Sequence, residues 1–155
     1  MSKAVPAGFH TITPHLVVKG CLQAIEFYKK AFGATVSRLH LMPDQKTVMH
    51  ADLKIGDSIF MLNDEFPGGA ISPLSPGGGS ASCSLHIFTE DVDALWKRAV
   101  EAGAQVKMPL ADQFWGDRYG ALGDPYGHNW TMAAHIADPT EQEIADKMKQ
   151  AYGGG

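Results

Sequence analysis

Hydrophobic and polar positions follow two periods along this chain, one of two residues and one of three to four. Between Thr11 and Val18 the residues alternate, predicting a strand with Ile12, Leu16 and Val18 on one face and Thr13, His15 and Val17 on the other. After Lys19-Gly20, Leu22, Ile25, Tyr28 and Phe32 recur at steps of three and four, the pattern of an amphipathic helix that Gly33 stops. Three further strands are expected over 35–42, 47–55 and 58–62, with Pro43-Asp44 and Gly56-Asp57 as the turns between them. The order then begins again. A strand over 82–89 carries His86, and a helix over 91–102 turns Val92, Leu95, Trp96 and Ala99 inward. Strands are predicted at 106–110, 119–122 and 128–134, and Gly103-Ala104-Gln105-Val106 echoes Gly33-Ala34-Thr35-Val36. Each half therefore reads strand, helix, strand, strand, strand, an internal repeat weak in identity and consistent in order.

The halves, 10–63 and 82–135, flank a Gly/Pro/Ser-rich loop over 64–81 that reads as a flexible flap or linker. A last helix is expected in 136–155, started by Asp138 and Glu141 with Pro139 at its first position, and lined by Ile144, Met148 and Ala151. All four segments are expected to form one structural domain.

Composition narrows the function. Hydrophobic residues at 45% and charged residues at 19% describe a chain that folds around a core. A net charge of −4 without any basic run argues against a nucleic-acid partner. A mildly acidic surface favours neutral or cationic small ligands. No apolar stretch is long enough for a membrane span, and no signal peptide is read at the N-terminus. Cys21 and Cys83 stand apart, in no metal-binding spacing, as free thiols of a cytoplasmic protein would.

The duplicated βαβββ unit, with Ala-Ile-Glu-Phe-Tyr-Lys-Lys-Ala-Phe-Gly-Ala at 24–34 and Gly-Asp-Pro-Tyr-Gly-His-Asn-Trp at 123–130, resembles the vicinal oxygen chelate superfamily. That superfamily includes glyoxalase I, bleomycin-resistance proteins and extradiol dioxygenases. Trp-Gly-Asp-Arg-Tyr-Gly at 115–120 with Asp-Pro-Tyr-Gly-His at 124–128 resembles its PhnB-type branch. The resemblance implies an α+β fold: two βαβββ modules form curved mixed sheets around a cup, with helices outside, a C-terminal helix and a homodimer. It also implies four metal-ligand positions on the first and fourth strands of the halves, which fall on Thr13, Met61, Ser84 and Thr131. None of these is a good divalent-metal ligand.

Alternation puts His15 and His86 on the cup-facing side, in corresponding places of the two halves. They are read as a ligand-recognising or proton-transferring pair, or as buried hydrogen-bonded histidines. His50 shares a polar face with Asp52, opposite Met49, Ala51, Leu53 and Ile55. Arg118 fixes a carboxylate or phosphate, or else pairs with Asp117. Trp115 and Phe114 stack on a ligand or close the end of the sheet. Trp96 and Trp130 are expected in the core, and His40 and His135 at the surface without partners.

The expected ligand-binding set is His15, His50, His86, Trp115, Arg118 and Asn129, holding a small organic molecule with no cofactor and no metal. The alternative is a metal-dependent glyoxalase- or dioxygenase-type enzyme with His15, His50 and His86 as shifted ligands of zinc, nickel or iron.

Overall fold

A computed structural model of the chain describes residues 2–154. The elements run β1 (His15–Val18), α1 (Cys21–Phe32), β2 (Thr35–Leu41), β3 (Val48–Ile55), β4 (Ser58–Asp64), β5 (Ser84–Phe88), α2 (Val92–Glu101), β6 (Gln105–Asp112), β7 (Asp117–Gly123), β8 (Asn129–His135) and α3 (Glu141–Tyr152). Two four-stranded sheets result, ordered β1-β4-β3-β2 and β5-β8-β7-β6. In each, the first strand pairs parallel with the fourth and the other pairs are antiparallel. The duplication expected from the sequence is therefore exact in topology, although few residues match. Among the described residues no helix is long and apolar enough to cross a membrane.

The first module is the better packed. Asp64, at the end of β4, accepts from the Gly20 and Cys21 backbone N–H groups at 3.1 and 2.9 Å, so the strand caps the helix that lacks a cap of its own. Burial, reinforced by Asp64, pushes the Cys21 thiol up to about 12, which keeps it protonated and unreactive. The buried face of α1 is wider than the predicted stripe and adds Cys21, Ala24, Phe27 and Ala31, while Leu22 is only partly covered. The reason is that α1 packs on two sides, against its own sheet and against the second module.

Trp130 from β8 packs against Phe32 at 4.6 Å and Phe60 at 5.7 Å, ring centre to ring centre. Beside it the Asp124 carboxylate accepts from Tyr28 Oη at 2.5 Å and Trp130 Nε1 at 2.9 Å. Its other oxygen accepts from the Tyr126 and His128 backbone N–H groups. The modules thus meet helix side to helix side, around aromatic rings and one satisfied carboxylate.

Three expectations need correction. The first strand begins at His15, and Ile12 is 87% exposed instead of joining Leu16 and Val18. Pro14 supplies only its carbonyl, to Met61 N–H, and the ladder starts after it. In α2 Val92 and Ala99 are buried and Leu95 and Trp96 are partly buried against the core, the inward face that the pattern predicts. The cap of α3 is Thr140, which forms a reciprocal capping box with Glu143, so neither Asp138 nor Pro139 starts the helix. No residue of α3 is buried, its apolar stripe included. The long loop is anchored as well: Ser72 is wholly buried and its N–H donates to Glu65 Oε1 at 2.6 Å.

Candidate functional site

Strand alternation gives each sheet a helix-facing side and an open side. Leu16, Leu53, Phe60, Leu62, Leu122 and Met132 are buried on the helix-facing side. The cross-strand registers place His15, His50, Asp52 and Met61 on the open side of the first sheet. They place His86, Tyr119, Asn129 and Thr131 on that of the second. A crevice of about 1120 Å³ separates the modules along β1 and β5, each an edge strand of its sheet. His15 and His86 line it, with Leu16, Leu85, Ile87 and Trp130 among its apolar walls.

On the first-module side, His15 meets His50 edge-on at 5.9 Å. His50 Nε2 lies 2.7 Å from Asp52 Oδ1, and Arg38 Nε is 3.5 Å from the other carboxylate oxygen. Asp52 is 2% exposed, and a carboxylate so dry requires the partners it has. On the second-module side, His86 shares a 2.7 Å hydrogen bond with Thr131 Oγ1. It stacks on Tyr119 at 5.9 Å and meets Phe88 edge-on at 4.3 Å. Trp115 joins this aromatic series edge-on to Tyr119 at 5.7 Å, its indole N–H donating to Asp117 at 3.1 Å.

The six residues singled out from the sequence thus part company. His15 and His86 share the crevice, and His50 touches His15. Trp115 stands behind Tyr119. Asn129 is on the open side, its amide donating to the Ala81 carbonyl at 2.8 Å. Arg118 sits on the opposite, helix-facing side: its guanidinium bonds Asp93 of α2 at 2.7 and 2.9 Å and Asp112 of β6 at 3.0 Å. It does not pair with Asp117. The physical reason is strand period, because Arg118 alternates with Tyr119 and falls on the side where Gly120 lies against Trp96. Sequence reading passed over Arg38, Tyr119 and Phe88; the alternation Arg38-Leu39-His40 opposite His50-Ala51-Asp52 carried a signal for the first.

The four carried-over metal positions do not assemble a donor set. Met61 stands beside His15 and Thr131 beside His86, while Ser84 stands beside Asn129 and Thr13 precedes the strand. Each first-strand histidine thus has a thioether or a hydroxyl as its neighbour, where a divalent ion wants imidazole or carboxylate. His15 and His50 belong to one module and His86 to the other. Among the described residues no three His, Cys, Asp or Glu side chains are placed to hold a metal ion. The residues present do not fit the family's metal.

Two histidines titrate in opposite directions. Burial pulls His86 below its ordinary 6.5. His135 has partners after all: Asp138 at 2.8 Å and Asp117 at 2.9 Å raise it above 6.5. Protonated His135 therefore contributes stability that is complete below pH 6.5 and is lost as pH rises through its folded value. For His86 the unfolded chain takes up the proton first, so stability falls as pH drops from 6.5 through the lower folded value. Proton NMR titration is expected to place the His135 midpoint above that of His86, and the reverse order contradicts these contacts.

Comparison with known proteins identifies the fold. The profile of the Glyoxalase/Bleomycin resistance protein/Dioxygenase superfamily matches residues 8–132. The chain belongs to this superfamily. An uncharacterized protein of Mycobacterium tuberculosis strain H37Rv is 40% identical over 147 residues, covering 92% of this chain and 85% of that protein. Crystalline TioX from Micromonospora sp. ML1 superposes with a TM-score of 0.63 at 30% identity, covering 82% of this chain and 99% of TioX. The PhnB protein of Bacillus cereus superposes with a TM-score of 0.63 at 20% identity, covering 81% and 99%, a likeness of fold.

Proposed function

We propose that this protein is a PhnB-like member of the superfamily that binds a small organic molecule without the family's metal site. One observation carries the reading: His15 and His86, at corresponding places in the two modules, line one crevice of about 1120 Å³ whose walls are otherwise largely apolar. Phe88 beside His86, with Trp130, provides stacking area, and His15, His86 and His128 provide polar groups for orientation. The Trp-Gly-Asp-Arg-Tyr-Gly segment and the PhnB likeness support the branch. The edge strands β1 and β5 and the uncovered α3 suit a homodimer in which a second copy covers them. The absence of a disulfide between Cys21 and Cys83 suits the reducing cytoplasm.

The test is a thermal-shift screen of neutral, cationic and anionic aromatic compounds, with a chelator present throughout. At least one class is expected to raise the melting temperature of the wild-type chain, with affinity falling about tenfold in His86→Ala through lost stacking and hydrogen bonding. Stabilisation that appears only when divalent metal replaces the chelator overturns the metal-free reading. Equal binding by His86→Ala overturns the site.

A further inference from the structure

The turn into β8 sets one polar side chain against the crevice in a fixed orientation. In β1 the Pro14 carbonyl bonds Met61 N–H of β4, so the backbone groups of Leu16 and Val18 also point to β4. Those of His15 and Val17 point off the edge. His128 of the second module closes on that edge, with Nε2 2.9 Å from the Val17 carbonyl oxygen. A carbonyl only accepts, so Nε2 carries the proton and the Nδ1 of the neutral ring is left as an acceptor.

The residue is held at three points. Besides the bond to Val17, its backbone N–H donates to Asp124 Oδ1 at 3.0 Å and its carbonyl accepts from Asp124 N–H at 2.9 Å. Nδ1 itself bonds no group among the described residues, and among those residues no buried side-chain nitrogen or oxygen lacks a partner. The free Nδ1 is therefore open, on a residue that lines the crevice together with Leu16, Leu85, Ile87 and Trp130. His86 differs, because one of its ring nitrogens shares its bond with the Thr131 hydroxyl, which can donate or accept and so fixes no tautomer.

The rest of the crevice offers little to a charged ligand. Among the described residues that line it there is no lysine or arginine to fix an anion. Its one carboxylate among them, Asp57, is exposed in the β3–β4 turn, accepts from Ser58 Oγ at 2.9 Å and is screened by water.

We propose that the ligand is a neutral phenol-type molecule, its hydroxyl donating to His128 Nδ1 and its ring lying against the apolar walls. This inference rests on the small-molecule reading above and adds the class of the ligand and the residue that selects it. Val17 and Asp124 already hold the imidazole, so little side-chain freedom is lost when the ligand arrives. A ligand of the same shape without the donor leaves Nδ1 covered and unpaired, and selectivity arises from that cost.

The experiment is calorimetric titration of the full chain at pH 8, with chelator present, using 2-naphthol and 2-methoxynaphthalene. The two share the rings and the oxygen and differ in the donor. 2-Naphthol is expected to bind about tenfold more tightly. His128→Leu is expected to abolish that preference, and His128→Gln to restore part of it, because the amide keeps a donor for Val17 and an acceptor for the ligand. A role confined to joining the modules would lower both affinities together and leave their ratio unchanged. Nitrogen-15 NMR of the wild-type imidazoles tests the tautomer without relying on any variant to fold. Nε2 of His128 is expected to be protonated, and its Nδ1 resonance to move on addition of naphthol and not of the ether. Equal binding of the two ligands, a preference that survives in His128→Leu, or a proton found on Nδ1 overturns the inference and leaves the small-molecule reading standing. Binding of neither also overturns it, and the broader thermal-shift screen then decides the small-molecule reading separately.

Discussion

Replacing Asp124 with alanine is expected to destabilise the protein by about 4 kcal/mol, because a single truncation leaves four donors without their acceptor. Two of them, Tyr28 Oη and Trp130 Nε1, belong to wholly or nearly wholly buried side chains at 0% and 2% exposure. The other two are the Tyr126 and His128 backbone N–H groups that set the turn into β8. Burial, with Asp124 beside it, pushes the Tyr28 hydroxyl well above its ordinary range, so it remains a donor across the accessible pH range. Tyr28→Phe removes one donor together with its bond and is expected to cost only about 1 kcal/mol. Urea unfolding of both variants checks the pair. Equal losses in the two would mean that Asp124 serves Tyr28 alone and does not tie the modules together.

Gly116→Ala is the second large effect, at about 2–3 kcal/mol. Gly116 has φ +103°, a conformation costly for any side chain, and an added Cβ would collide with the Ala137 carbonyl and with Pro139. The obstacle is backbone and a rigid ring, neither of which can yield as a flexible side chain would. The Gly116 carbonyl also accepts from the Ile136 and Ala137 N–H groups at 2.8 and 3.0 Å, so the substitution strikes the root of α3. Gly56→Ala is the control: φ is +57° and nothing lies within 4 Å of the added carbon, so only about 1 kcal/mol is expected. Thermal unfolding compares the two, and proteolysis at the α3 junction is expected to quicken in Gly116→Ala alone. Matching melting temperatures would show that the segment after β8 gives way freely.

The two periods made the order of elements legible, since Leu16, Val18, Phe60 and Leu62 obey alternation and α1 obeys its helical step, although β3 and β8 also bury consecutive residues. The errors lie where a neighbour decides. The start of β1 depends on where β4 begins to pair, and the width of the buried face of α1 on a second module that local pattern does not reveal. The candidate site divides in the same way. His15, His50 and His86 were legible as one-sided positions of their own strands. Setting Arg118 aside required knowing which carboxylates stand across from it: Asp93 from a helix and Asp112 from the neighbouring strand. That information resides in register, which sequence spacing does not encode.

The outer edges of the two sheets are made differently from the inner ones. Both β2 and β6 pair with shifted register, and β6 carries Lys107 and Pro109 within its span. Such kinks, charges and missing donors stop another strand from adding on. The inner edges, β1 and β5, pair with unbroken register, and they line the crevice together. Strand addition can therefore enter only through that gap, where a single pairing event uses up both edges. Growth by this route ends after one exchange and cannot run on into a fibre, which protects a chain that leaves hydrophobic surface such as Phe88 uncovered.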